Sequence, residues 1–367
     1  MIVTPDGRHE QCVFALCRTG RGVRMTDERA CGTAGVAVVM GVDELPLVMP
    51  PDLCERLGEL TGREVRPIPV RDGLGLLAGP AGLGDVDVLV TGWGCPPLTK
   101  TVLEAAPQLR AVMHAAGSVK QLVTEAVWER RIVVSSAAEA NAGPVADFTL
   151  AAIGLAAKGA LPAAAAYADG GRWPAFRERQ GADGRTVGVL GASHIGRRVI
   201  AGLRASAAGY RVLLYDPYVT DEEAAQLGTE RVDRLADLCR AADIVTIHAP
   251  ETPETRRLLD AEHLALIRDG GTVINTARGS IVDTEGLERE CRSGRLSAWL
   301  DVTDPEPLGK EHALLSLPNV LVTPHIAGAQ GSEGKRLGMY AVEEAGRWVR
   351  GERLLGAVER QSLDRLA

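Results

Sequence analysis

The stretch TVGVLGASHIGRRVIAGLRA, residues 186–205, decides how the chain is read. It opens as an apolar run of strand type, turns at Gly191, and continues with apolar residues at helical spacing. Between the two lies Gly191-Ala192-Ser193-His194-Ile195-Gly196, a G-x-G-x-x-G fingerprint with Ser193 in place of its second glycine. Gly191 permits the tight turn, and Gly196 permits close packing of helix on strand. The spacing predicts a pyrophosphate at the helix N-terminus, where free N–H groups and the helix dipole favour an anion. Gly191, Ser193, His194, Ile195 and Gly196 are the expected contacts. The Ser193 Cβ crowds that approach, while its hydroxyl can donate to a phosphate oxygen. The next apolar run, RVLLYD, ends on Asp216, 20 residues past Gly196. An acid there takes ribose hydroxyls and repels a 2′-phosphate, which points to NAD.

Working outward, RTVGVLG (185–191), RVLLYD (211–216), DIVTIHA (243–249), GTVINTA (271–277), SAWLDV (297–302) and VLVTP (320–324) read as six strands. They are short, almost wholly apolar and separated by helical stretches. That is the pattern of an α/β fold with a doubly wound parallel sheet buried on both faces. Upstream, VAVVM near residues 36–40, VDVLVT (86–91), LRAVMHA (109–115) and RIVVSS (131–136) predict a second, smaller α/β domain. PPDLCERLGELTG and TKTVLEAAP read as helices between these strands. An Ala-rich helix is expected over residues 143–161, and the last forty or so residues are expected to be helical and able to pack on either domain. Residues 1–35 show no periodicity. They read as a loosely ordered extension or an upstream start, with Met40 as an alternative first residue.

Composition excludes several classes. A net charge of −7 with no dense Lys/Arg run argues against nucleic acid. No apolar run approaches the roughly 20 residues that span a bilayer, and the polar start argues against a signal peptide. Seven cysteines, with no C-x-x-C pair, predict neither a disulfide framework nor a metal site and fit a cytoplasmic protein.

The segments VGVLGASHIG, YDPY, DIVTIHAPETPET, NTARGSIVD, DVTDPEPL and LVTPHIAG occur in this order over residues 86–330. In that order they resemble the D-isomer-specific 2-hydroxyacid dehydrogenase family, which includes phosphoglycerate dehydrogenases and hydroxypyruvate reductases. The resemblance implies an NAD-binding Rossmann domain inserted into a flavodoxin-like substrate domain. The boundaries would be 36–145 with 326–367 for the substrate domain and 146–325 for the cofactor domain. It also implies a homodimer. No regulatory domain is expected beyond the final helix.

Reducing a 2-keto acid needs a cation for the carboxylate, an acid for the new hydroxyl, and a partner that keeps the acid charged. Arg278 follows the strand GTVINTA, at the end where ligands bind in open α/β sheets. It can hold a carboxylate through two parallel hydrogen bonds. His325 follows VLVTP and titrates near neutrality. Glu306, in DPEP, can bond the other imidazole nitrogen and raise the basicity of the ring. The resemblance assigns the same three residues to substrate binding, support and acid/base transfer. It selects Glu306 over Asp304 and gives Asp301 to the nicotinamide carboxamide. Ala249, Pro250, Thr276, Ala277, Arg278, His325 and Gly328 complete the expected cofactor contacts. His248 reads as packing, and His114 as a core or strand-end residue. Taken singly, an Arg, a Glu or a His of this kind is more often an ordinary surface or loop residue; the three together at successive strand ends carry the reading.

On the substrate side, HAAGSVKQL resembles the family's substrate loop, with Gly117, Ser118 and Val119 expected to meet the carboxylate through their backbone. Trp93 and Gly94 form the other expected loop. The chain departs from the family pattern at Val119-Lys120, at SSAAEA and at Asp147, which leaves the particular acid open. An NAD-sensing regulator on the same fold is the alternative. Formate dehydrogenase is disfavoured because Glu306 stands where that branch has Gln, and an S-adenosyl-methionine-binding Rossmann enzyme leaves the Arg–Glu–His series without purpose.

Overall fold

Strands with every residue buried organise the chain, and they are the near-continuous apolar runs of the sequence. The computed structural model describes residues 35–71 and 82–365; the extension expected over residues 1–35 lies almost wholly outside them. The strands are β1 (Gly35–Gly41), β2 (Val65–Val70), β3 (Val86–Thr91), β4 (Ala111–His114), β5 (Val133–Ser136), β6 (Thr186–Leu190), β7 (Arg211–Tyr215), β8 (Glu230–Arg231), β9 (Ile244–Ile247), β10 (Thr272–Asn275), β11 (Ser297–Leu300), β12 (Val320–Val322) and β13 (Ala357–Val358). All residues of β1, β3, β6, β9 and β10 are buried. Sheets covered by helices on both faces require this.

The larger sheet has the order β12-β11-β10-β9-β6-β7-β8, and each pairing in it is parallel. It is therefore doubly wound, with its switch point between β6 and β9, where such sheets bind ligands beyond the strands' carboxyl ends. The smaller sheet runs β13-β5-β4-β3-β1-β2. Its first five strands have the flavodoxin-type order 2-1-3-4-5, and β13 adds an antiparallel edge.

Several elements differ from the sequence reading, among them β13, which falls in the last forty residues expected to be helical. β2 carries Pro67 and Pro69, which do not predict a strand. It lies at the sheet edge, against β1 alone, where a missing N–H costs no ladder bond. The larger sheet gains β8, a two-residue edge strand. The long helix runs Ala138–Ala157 instead of 143–161, with Pro144 inside it. It ends before Gly159, whose φ of +61° starts a second helix, Ala160–Ala168. Pro144 falls in the second turn, where its missing N–H costs one bond.

The helix Ala138–Ala157 links the two cores. Ala137 packs with the β1 and β3 side chains, whereas Ala146, Ala152, Ile153 and Ala156 pack with Val187, Val189 and Ile274. Among the described residues it is long and apolar enough to cross a membrane by length and composition, and half of that window is buried inside the fold. The C-terminal helix Gly334–Val349 packs on the smaller sheet, through Leu337, Ala341, Val342 and Ala345 against Val36, Val38 and Met40. Its fully buried Glu344 accepts from Ser135 Oγ at 2.6 Å and from the Gly356 N–H at 2.9 Å. Those bonds fix the approach of β13.

Candidate active site

One row of the larger sheet positions the site. Register pairs Tyr215 with Leu190, Leu190 with Ile247, Ile247 with Asn275, Asn275 with Leu300, and Leu300 with Val322. The residues just past this row are Asp216, Gly191, His248, Thr276, Asp301 and Thr323. Parallel pairing thus gathers segments more than 130 residues apart at one edge.

The Gly191 turn is built as a cradle. Gly191 has φ +93°, and a Cβ there would sit 2.7 Å from the Ala249 nitrogen. A Cβ on Gly196 would lie 2.1 Å from the Gly191 carbonyl oxygen. Ser193 has φ −63° and needs no glycine; its hydroxyl caps the helix His194–Ala205, accepting from the Gly196 N–H at 3.3 Å. This accounts for serine at the second glycine position as a helix N-cap. Asp216 braces the turn, accepting from the Ala192 N–H at 2.7 Å and from the Tyr218 N–H at 2.8 Å. His194 pairs with Glu139 of the linking helix at 2.8 Å. His248 lies beneath the turn, bonded through Nε2 to Thr246 Oγ1 at 3.0 Å, with a buried Nδ1 that has no protein partner. Burial pushes its imidazole down to about 3. The glycine cradle, the open N-terminus of a 12-residue helix and the Asp216 carboxylate fit a dinucleotide.

Arg278 leaves β10 through a turn held by Asn275. The Asn275 side chain donates to the Arg278 carbonyl at 2.8 Å and accepts from the Ala277 N–H at 3.0 Å. The Arg278 guanidinium donates to the Ala277 carbonyl at 2.6 Å. Burial weakens its hold on the proton, and the charges of Glu251 and then Glu306 act in the opposite sense. Thr276, at the same sheet edge, turns its hydroxyl to Thr149 Oγ1 of the linking helix at 2.8 Å and is buried there.

His325 and Glu306 come together with Nδ1 and Oε1 2.8 Å apart, both partly exposed. His325 has φ +55°, a left-handed conformation that costs a side-chain-bearing residue of order 1–3 kcal/mol. Asp301 holds this loop. Its carboxylate accepts from Thr323 Oγ1 at 2.6 Å and from the Ile326 and Ala327 N–H groups at 2.8 Å each. The carboxylate expected at the carboxamide thus also clasps the His325 loop.

On the smaller sheet, Gly117 follows β4 and its carbonyl accepts from Ser136 Oγ at 2.6 Å. The Lys120 N–H reaches Ser118 Oγ at 3.4 Å. Val119 is buried in the core, so only its backbone can face a ligand. Trp93 and Gly94 border Gly41, on the β1 side of β3: the Trp93 carbonyl accepts from the Gly41 N–H at 2.7 Å. His114 is buried, bonds Thr91 at 2.9 Å, and is pushed down to about 4 by burial.

Four residues escaped the sequence reading. Asn275 is one. Asn141 of the linking helix accepts from the Ala329 N–H at 2.9 Å, and its amide lies 3.2 Å from where a Gly117 Cβ would stand. It joins the substrate-side loop to Gly328 and the His325 loop. Glu251 takes the Ser280 hydroxyl at 2.5 Å, and its main-chain carbonyl accepts from Lys120 Nζ at 3.0 Å. The signal for Asn141 was an amide among the small residues just before the Ala-rich run; Asn275, Glu251 and Ser280 gave none. Among the described residues no group of three or more His, Cys, Asp or Glu is placed to hold a metal ion.

Residues 151–327 match the model for the D-isomer specific 2-hydroxyacid dehydrogenase NAD binding domain. The chain is 36% identical over 271 residues to a D-3-phosphoglycerate dehydrogenase of Methanocaldococcus jannaschii, covering 73% of this chain and 51% of that protein. An (S)-sulfolactate dehydrogenase of Chromohalobacter salexigens is 34% identical over 253 residues, 68% of this chain and 80% of that protein. A crystal structure of a Thermus thermophilus protein superposes with a TM-score of 0.69 at 31% identity, over 88% of this chain and 100% of that one. The chain spans about half the length of the phosphoglycerate dehydrogenases it matches.

Proposed function

The chain belongs to the D-isomer-specific 2-hydroxyacid dehydrogenase family, and from that membership we propose that it moves a hydride between NAD(H) and C2 of a small 2-keto or 2-hydroxy acid. The observation that carries the proposal is the His325–Glu306 bond of 2.8 Å on the sheet edge that also holds the half-buried Arg278.

Arg278 binds the substrate carboxylate. Its burial strengthens that bond, because a charge pair gains as water is excluded. The Gly117 and Ser118 backbone meets the same carboxylate from the other side, with Trp93 and Gly94 at the outer wall. With Nδ1 held by Glu306, His325 exchanges its proton through Nε2, giving it to the carbonyl oxygen in reduction and taking it back in oxidation. Glu306 stabilises the charged ring in the oxidative direction.

NAD, when bound, supplies or accepts the hydride at C2. Gly191, Ser193, His194, Ile195 and Gly196 would hold its pyrophosphate, and Asp216 its ribose. Ala249, Pro250, Thr276, Ala277, Asp301 and Gly328 would line the remainder, within a cofactor domain of residues 146–325. The acidic Asp216 disfavours NADPH. We assign the protein to the cytoplasm, in keeping with the free thiols of Cys54, Cys95, Cys239 and Cys291.

We also propose a homodimer. No residue of the helix Ala160–Ala168 is buried, and Tyr167 in it and Trp173 and Phe176 beyond it are 57%, 75% and 86% exposed. A monomer seldom leaves so much aromatic surface to water.

The test is NADH oxidation against a panel of 2-keto acids, with NADPH as control and the solution mass measured alongside. Arg278→Ala and His325→Ala are expected to lower turnover at least ~100-fold, the usual scale for a lost acid/base or carboxylate anchor. Wild-type rates in either variant contradict the assignment. NADH binding without turnover on any acid leaves an NAD(H)-binding regulator instead.

A further inference from the structure

We infer that His114 is a positioning residue: from inside the smaller sheet it turns the Ser118–Val119 peptide so that the substrate loop offers N–H groups, and not carbonyls, to the carboxylate of the acid. The inference rests on the reading of residues 117–119 as backbone that meets that carboxylate.

His114 ends β4, and only 6% of it is exposed. Its Nδ1 lies 2.9 Å from Oγ1 of Thr91, its register partner at the end of β3. The ring has a second hydrogen bond, to the main chain of Ser118, and that bond favours the charged ring. A bond of that sign is one in which the ring donates and the Ser118 carbonyl accepts. With Nδ1 on Thr91, the donor is Nε2. Burial keeps the ring neutral down to about 4, so Nδ1 carries no proton and accepts from the Thr91 hydroxyl. One uncharged imidazole thus joins the end of β3 to the loop after β4. An apolar side chain could fill the same space, but it would leave the Ser118 carbonyl without this donor.

The consequence lies in the peptide planes. In a trans peptide the carbonyl and the N–H of the next residue point opposite ways. Ser136 Oγ donates to the Gly117 carbonyl at 2.6 Å and to the Ala116 carbonyl at 3.2 Å, and His114 takes the carbonyl of Ser118. Three successive carbonyls are drawn toward the ends of β4 and β5, which turns the N–H groups of Gly117, Ser118 and Val119 away from them. Among the described residues, none of these three N–H groups donates to a main-chain carbonyl. Successive free N–H groups make a concavity suited to an anion. The turn also lies beside the acid/base loop. The Asn141 amide nitrogen is 3.2 Å from where a Gly117 Cβ would stand, and its Oδ1 is 3.1 Å from the same point on Gly328, three residues past His325.

The experiment measures oxamate binding to the NADH-loaded protein, and kcat and KM on glyoxylate, in wild type, His114→Leu, His114→Gln and Thr91→Val. His114→Leu is expected to weaken oxamate and raise KM at least about 10-fold, the scale of one hydrogen bond to a charged group. Its NADH affinity should stay within about 2-fold, because the ring shares no partner with the Gly191 turn. His114→Gln, which can donate to Ser118 through its amide nitrogen and accept through its oxygen, should recover most of the loss. Thr91→Val removes the donor on Nδ1 and should weaken oxamate about 3-fold, the scale of a neutral bond. Full oxamate affinity in His114→Leu overturns the inference. So do equal losses of oxamate and NADH affinity, or a glutamine variant no better than the leucine one. Should His114→Leu fail to fold, Thr91→Val decides, and unchanged oxamate binding there overturns the inference. Wild type that turns over no keto acid and binds no oxamate defeats the proposed function itself, whereas an active wild type with His114→Leu binding oxamate normally defeats only this inference.

Discussion

Replacing Asp301 by asparagine separates two roles that the sequence merges. A contact to the nicotinamide carboxamide survives in Asn, which can still accept a hydrogen bond. A clasp does not. Three donors converge on the Asp301 carboxylate, two on one oxygen and the Ala327 N–H on the other. Asparagine keeps the first pair as neutral bonds, weaker by about 1 kcal/mol each, and turns an NH2 toward the Ala327 N–H; one buried donor left unpaired costs roughly a further 1–3 kcal/mol. The loss of roughly 3–5 kcal/mol exceeds the order of 1–3 kcal/mol stored in the left-handed His325. The loop then relaxes, and the fraction of molecules presenting His325 to substrate falls. The expectation is a kcat lowered at least ~10-fold, a melting temperature reduced by several degrees, and an NADH affinity within about 3-fold of wild type. NADH fluorescence, steady-state kinetics and calorimetry read these separately. A variant with normal kcat, stability and NADH affinity refutes the clasp and leaves the carboxamide contact as the role of Asp301.

Two further outcomes follow from geometry. Gly196→Ala places a Cβ 2.1 Å from a backbone oxygen, so the turn must open; NADH affinity should fall at least ~10-fold, measured by fluorescence titration. His114 and His248 stay neutral in the fold down to about 4 and about 3, while the unfolded chain protonates near 6.5. Between those values the unfolded state binds more protons, so stability drops as pH falls, by up to about 1.4 kcal/mol per pH unit for each histidine. Melting temperatures from about pH 7 to 4.5 should show this slope, and His114→Gln should reduce it; a flat profile contradicts buried neutral rings.

What the sequence reveals and what it hides divide along physical lines. A sheet covered on both faces must be apolar throughout, so β6, β7, β9 and β10 are visible as runs, and their parallel pairing sets Gly191, Asp216 and Arg278 along one edge of the sheet without further information. β2 is obscured because Pro67 and Pro69 disqualify a central strand and only the edge tolerates them. The start of the linking helix is hidden by Pro144, which reads as a first-turn residue and sits in the second. Ser193 looks like a defect until its capping bond is seen. Asp301, Asn141 and Glu251 act on loops far along the chain. Their residue types mark a polar partner, but nothing local names it.

The smaller sheet takes its first five strands from residues 35–136 and the helix that covers β1 from residues 334–349. The larger sheet lies wholly between these, complete by residue 322. On the ribosome the two halves therefore cannot mature in the order in which they are begun. The inserted half emerges entire and can close its own core, while the strands made before it wait, one apolar face uncovered, for the helix of residues 334–349. Protease challenge of stalled nascent chains would find residues 186–322 protected before residues 35–136. The family architecture thus makes the half begun first the last of the two to be secure, and exposes it to chaperones and to aggregation until the returning helix emerges.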